Sequence, residues 1–251
     1  MSRVSTTIIL VLLCAVVSTP LMAQTAVTQQ DLIQPDRATP AVSNNSNSIS
    51  GFASDFLHDQ KAIWTSPLHI NKGDFEWLAP TAVGAGALAI FDHRISDAVK
   101  ANPSLQSPSN KISNVGLIAP WAVPGTMFLV GATTHNAHAL ETGRLGIEAA
   151  VDSEVVMQVL KLATGRMRPN GTDTMSFPSG HSMEAFALAA VMSREYHNKP
   201  LVVIGSYGFA TAVGLARVGA LEHFPTDVVA GAVIGELIGQ YVVHHHAQLA
   251  E

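Results

Sequence analysis

Cysteine is almost missing from this chain of 251 residues; there is one, Cys14, inside the apolar segment that opens the sequence. A lipoprotein signal places a small residue just before its cysteine, and Leu13 is not small. If the segment is cleaved, the rest of the chain has no thiol, which excludes disulfides, cysteine nucleophiles and thiolate-bound metals. Charge is scarce too, at 13% against 47% apolar residues. That is about half the charge of an ordinary soluble domain, so a large core or contact with lipid is easily supplied. Basic residues do not exceed acidic ones (14 Lys and Arg, 19 Asp and Glu), and nucleic acid is not an expected partner. Strand signals are sparse as well. Leu201-Val202-Val203-Ile204 holds the one β-branched run of note, and no internal repeat is evident.

What is present begins with a secretory pattern. Arg3 supplies a positive start, Ile8 to Val17 an apolar stretch, and Thr19 to Ala23 a cleavage region. Residues 1–23 are therefore predicted to be a signal peptide. Residues 24–50, rich in Gln, Thr, Ser, Asn and Ala, bury too little apolar surface to offset chain entropy and read as a disordered polar spacer. Residues 51–251 read as one helical domain. Phe52, Phe56, Leu57, Ile63 and Trp64 form a stripe near helical period, suited to core packing or to a membrane surface. Longer apolar segments follow at 77–91, 113–134, 146–165, 181–196, 200–218 and 226–243. The predicted fold is all-α, a bundle of about six helices.

A membrane span needs about 20 mostly apolar residues. The 112–140 segment lacks Asp, Glu, Lys and Arg, and 200–216 is also free of them, whereas Asp152, Glu154, Lys161, Glu184 and Glu236 interrupt the others. Three helical segments precede Arg168. If the mature N-terminus lies outside the cytoplasm, an extracytoplasmic basic cluster requires an even number of crossings before it. The expected form is an exported globular bundle, periplasmic or extracytoplasmic, with a membrane-associated or integral bundle as the alternative.

Three short patterns stand out for chemistry. In Lys161-Leu-Ala-Thr-Gly-Arg-Met-Arg168-Pro169, two cations seven residues apart share a face of a helix that Pro169 should end. In Ser176-Phe-Pro-Ser179-Gly180-His181, Ser179 is a suitable N-cap, and helix-start N–H groups make an anion site beside His181. In Arg217-Val-Gly-Ala-Leu-Glu-His223-Phe-Pro-Thr-Asp227, Pro225 suits a helix start. Asp227 is placed to accept a hydrogen bond from one nitrogen of His223, leaving the other as a nucleophile. Three cations, helix-start donors and two imidazoles match the needs of phosphoryl transfer, where charge on the equatorial oxygens must be stabilised.

Lys161-x6-Arg168-Pro169, Pro178-Ser179-Gly180-His181 and Arg217-x5-His223-x3-Asp227 together resemble the signature of the type 2 phosphatidic acid phosphatase superfamily. That superfamily contains lipid phosphatases, bacterial acid phosphatases and vanadium haloperoxidases. The resemblance covers 161–227 and implies roles residue by residue. His223 would attack phosphorus, Asp227 would orient it, and His181 would protonate the leaving oxygen and then activate water. Lys161, Arg168 and Arg217 would clamp the phosphate, with Ser179 and the Gly180 N–H adding hydrogen bonds. The substrate implied is a lipid phosphate, an isoprenoid diphosphate or a soluble monoester, and the phosphatase members need no metal. Two other functions fit the same residues: a haloperoxidase holding vanadate on His223, and a non-catalytic membrane-associated protein. Two departures are visible. Ala216 stands where the third motif often has serine, and the link Asn170–Phe177 is short, leaving less structure to overhang the site. His244-His245-His246 reads as a polar helix end with no carboxylate partner in view.

Overall fold

The computed structural model describes residues 49–66, 73 and 75–249. The predicted signal peptide 1–23 and the spacer 24–50, apart from its last two residues, lie outside the described residues. Among the described residues eight α-helices follow one another: α1 (Ile49–Thr65), α2 (Phe75–Ala89), α3 (Asp92–Lys100), α4 (Gln106–Thr134), α5 (Ala137–Thr164), α6 (Gly180–Glu195), α7 (Pro200–Gly219) and α8 (Pro225–Leu249). No strand occurs among the described residues. The all-α bundle is as expected, with more members than about six. The short, polar α3 offers no apolar stripe long enough to read from sequence. The β-branched run at 201–204 lies in the first turns of α7, where Pro200 occupies the start of the helix and its fixed φ favours helix.

Local chemistry sets the ends of α5. Asn136 caps it by accepting a hydrogen bond from the Ala139 N–H at 3.0 Å, so it begins at Ala137 rather than near 146. It stops at Gly165, whose φ of 53° is the left-handed conformation that favours glycine.

The bundle is organised around α6, which is buried along most of its length. One core cluster joins it to α7 and α8 through Phe186, Ala189, Tyr207, Val213, Val228 and Ala232. A second joins it to α5 and α8 through Met157, Met183, Ala187, Val191, Ile238 and Val242. The approach of α8 to α6 is closest along Gly231, Gly235 and Gly239. A Cβ at these positions would run into the carbonyls of Ser179, Met183 and Ala187, respectively. Small residues four apart let two helix backbones touch, and here they fix the start of α8 beside the start of α6.

Among the described residues, three segments are long and apolar enough to cross a membrane: Pro103–Thr134, containing α4, then Pro200–Gly219 (α7) and Pro225–His246 in α8. On α4, Ile112, Val115, Leu117, Ile118, Leu129 and Val130 are exposed, as are Leu201 and Ile204 on α7. Exposed apolar residues in this number mark a contact with lipid or with another protein. The stripe on α1 is split: Ile63 packs against the core, while Leu57 and Trp64 face outward.

Candidate active site

The three motifs meet at one end of the bundle. Lys161 comes from the last turn of α5, Arg168 from the loop after it, His181 from the first turn of α6, Arg217 from the last turn of α7, and His223 from the turn leading into α8. Both imidazoles lie in the field of all three cations. Burial, and then Arg217, Lys161 and Arg168, push His181 down to about 3. The same causes hold His223 well below the ordinary histidine range. Lys161 is pulled down to about 8 by burial and by the two arginines, and so remains charged at neutral pH. Without an anion, then, the site holds two neutral imidazoles facing three positive charges.

Arg168 is not on the helix with Lys161. The left-handed Gly165 ends α5 four residues before Pro169, so the shared face expected from the seven-residue spacing is not formed. Arg168 is instead fixed by carboxylates: its Nε donates to Asp173 at 2.7 Å and one terminal nitrogen donates to Glu222 at 2.5 Å. Glu222 also lies 3.5 Å from a terminal nitrogen of Arg217. Ser113 of α4 accepts a hydrogen bond from the other terminal nitrogen of Arg217. Lys161 donates to the Met175 carbonyl at 3.0 Å, which anchors the short 170–177 link to the cradle.

The partner of His223 also differs from expectation. Its Nδ1 lies 2.6 Å from the Ser176 carbonyl, which can only accept, so Nδ1 carries the proton and Nε2 is left as the basic nitrogen. Asp227 makes no direct bond to the ring, because its carboxylate turns back over the start of α8. It accepts from the Phe224 N–H at 2.9 Å, the Ser176 hydroxyl at 2.6 Å and Arg166 at 2.6 Å. Asp227 therefore holds the ring from both sides, through the backbone after His223 and through the residue that receives the Nδ1 proton. Ser179 occupies the N-cap position of α6 without a side-chain capping bond. Its hydroxyl accepts from Ser182 at 3.0 Å, and its N–H donates to the Asp227 carbonyl at 3.0 Å. Gly180 begins α6 with Met157 packed close to it, and the N–H groups of that first turn are the donors every helix start leaves without an internal partner.

Four participants were assigned no role from the sequence, although Arg166 lies in the basic cluster visible there. Arg166 bonds Asp227, Thr226 and, at 2.7 Å, Asp92, and stacks over Phe224 at 4.4 Å. Asp92, fully buried at the start of α3, also accepts from the Thr226 N–H at 3.1 Å. Together they bind α3, the post-α5 loop and the start of α8. Glu222 and Ser113 complete the surroundings of the arginines. Glu222 adjoins His223 in the motif, which was a readable signal; Ser113 and Asp92 are about 100 residues away or more from the residues they touch and had none. Beside the cradle a cavity of about 350 Å³ is lined by His93, Lys100, Arg166, Arg168, Pro169 and Phe224, among others.

Comparison with known proteins gives a family pattern, a relative and a similar fold. The pattern of the PAP2 superfamily matches residues 145–250. A Lipid A 1-phosphatase of Porphyromonas gingivalis is 30% identical over 134 residues, which is 52% of this chain and 29% of that protein. The chain thus aligns with less than a third of that relative's length. In three dimensions the fold is similar to a transmembrane PAP2 type phosphatidylglycerolphosphate phosphatase from Bacillus subtilis, with a TM-score of 0.52, 23% identity, and coverage of 79% of this chain and 96% of that one. Residues 145–250, which carry Lys161, Arg168, His181, Arg217 and His223, are thus similar to the PAP2 superfamily.

Proposed function

We propose that the chain is a lipid phosphate phosphatase that works through a phosphohistidine on His223. The observation that carries the reading is the tautomer of His223: with Nδ1–H committed to the Ser176 carbonyl, the free Nε2 is basic, neutral and directed by its surroundings toward an anion held on Lys161, Arg168 and Arg217. In the first step the Nε2 lone pair forms a bond to phosphorus, the ester P–O bond breaks, and the leaving oxygen takes a proton from His181. In the second step water attacks phosphorus, His181 takes the proton of that water, the P–N bond breaks and orthophosphate leaves.

His181 must arrive protonated, and the substrate itself arranges this. His181 is held down by burial and then by the cations; a phosphate dianion neutralises the cations, so its pKa rises as the substrate binds. The exposed apolar faces of α4 and α7 support a lipid substrate and seating in a membrane, and the named relatives act on lipids by their own descriptions. The location proposed is extracytoplasmic, with the cradle near one membrane face. The test is phosphate release by the full chain in detergent from phosphatidate, an isoprenoid diphosphate and p-nitrophenyl phosphate, with orthovanadate as inhibitor. The lipid substrates are expected to be hydrolysed best, and a base-stable, acid-labile phosphoprotein should form on rapid quenching. Inactivity on all three, or turnover with no such intermediate, counts against the reading.

A further inference from the structure

The helices that build the cradle hold a second buried polar cluster, ~20 Å along α5 from Lys161 at 1.5 Å per residue, and α1 docks on it. Of the apolar side chains on α1, Ile63 packs against a core cluster, while Leu57 and Trp64 face outward. Polar side chains supply the specific attachments. Asp55 lies 2.5 Å from Arg144, and Gln60 donates to Asp152 Oδ1 at 2.8 Å. Asp59, fully buried between α5 and α8, is hydrogen-bonded to Glu148, Asp152 and Tyr241. His58 stacks on His245 with ring centroids 4.5 Å apart and planes 4° from parallel. These partners set α1 parallel to α5, in the groove between α5 and α8. Arg144, 3.8 Å from Glu148, and His246, whose Nε2 is 2.8 Å from Glu148 Oε1, complete the cluster.

We propose that α1 is a proton-dependent clasp, held in the α5–α8 groove while one proton is shared among Asp59, Glu148 and Asp152 and released when that proton leaves. Carboxylates in contact repel one another unless a proton lies between them. Arg144 does not remove the repulsion by itself, because its one charge faces Asp55 as well as Glu148. Burial and then Glu148 push Asp59 up to about 9, and burial pushes Asp152 up to about 7. Outside the groove Asp59 returns toward the ordinary carboxylate value of 3.8. Up to about pH 9 the docked state therefore binds more protons than the released one, so docking weakens as pH rises. The stacked rings of His58 and His245 tolerate two charges poorly, but histidines charge below about pH 6.5, outside the window in which Asp59 loses its proton. The clasp is independent of the phosphatase chemistry.

The test is hydrogen exchange of the full chain in detergent, read by mass spectrometry across neutral to alkaline pH and corrected for the intrinsic effect of pH on exchange. Protection of residues 49–65 should fall by up to ~10-fold per pH unit between about 7 and 9, the slope of one proton, while residues 180–195 of α6 stay protected. Asp59→Asn keeps an N–H donor for Glu148 but has no proton to lose, and should flatten the slope to less than ~2-fold per unit. Asp97→Asn, on the exposed side of α3, should keep the parent's slope. A flat profile for 49–65 in the unsubstituted chain overturns the clasp. So does loss of α6 protection in step with α1, the mark of global unfolding, or a parental slope in Asp59→Asn. Should Asp59→Asn leave α1 undocked at every pH, the slope of the unsubstituted chain decides.

Discussion

Two buried polar clusters share α5 and α8, and their charge imbalances are opposite. At the C-terminal end of α5, Lys161, Arg168 and Arg217 surround two neutral imidazoles. Farther back on the same helix, Asp55, Asp59, Glu148 and Asp152 surround Arg144 and His246. The first is placed for an anion; at the second, burial and then Glu148 push Asp59 up to about 9, so a bound proton offsets part of the imbalance. A buried imbalance is expensive unless a ligand or a proton removes it, so what a polar cluster lacks says more about its partner than what it contains.

The catalytic half of this comparison is broken most completely by His223→Ala. Loss of the nucleophile should reduce phosphate release by ~10⁴-fold or more and abolish the phosphoprotein. Retained turnover on p-nitrophenyl phosphate would falsify the assignment of His223. His181→Ala should cost ~10²–10⁴-fold on an alkyl or lipid ester, but much less on p-nitrophenyl phosphate, whose leaving oxygen needs no proton. Equal losses on both substrates would remove His181 from the acid role.

The neutral imidazoles also give the comparison a pH axis. His181 and His223 are held below their unfolded value of 6.5, so between those values the unfolded chain binds more protons. The stability of the ligand-free protein should therefore fall as pH drops through 6.5. Orthophosphate, by raising the pKa of His181, should bind with proton uptake near pH 6. Calorimetry in buffers of different ionisation enthalpy reads this directly, and proton release on binding would contradict it.

The geometry joining the two clusters is tested by Gly235→Ala. Its added methyl meets the Met183 carbonyl, and separation of α6 from α8 should lower stability by ~1–3 kcal/mol and impair activity by misplacing His181 against His223. Unchanged melting would show that the helices can part without cost. The smallest expected effect is at Glu222, an internal carboxylate on two of the clamp arginines. Glu222→Gln should tighten orthovanadate inhibition by a few fold, because the oxyanion no longer competes with a resident charge. Weaker inhibition would mean that Glu222 chiefly positions the arginines.

Much of the site was legible because its residues lie in three short segments whose spacing is set locally. Ser179-Gly180 and Pro225 start helices wherever they occur in such a context, so His181 and His223 could be placed just at helix starts. The errors arose where one local signal outran another. Gly165 stopped α5 before Pro169 could, moving Arg168 into the loop. Asp227 was close enough to His223 in sequence to be given its ring, but the start of α8 and Arg166 took the carboxylate first. His246, read as a polar helix end, is buried against Glu148, a partner 98 positions away.

By itself the sequence determined the helical class, through apolar segments of helical length with few strand signals, and the inventory of cations and imidazoles, through three motifs. Only the tertiary structure decided which nitrogen of His223 is free, what holds Arg168 and Arg217, and that four carboxylates converge far from the cradle. Hydrogen-bond partners and charge balance are fixed by side chains meeting across helices, and the contacts that make them meet, such as Gly235 on Met183, join positions too far apart in the chain for any local pattern to record.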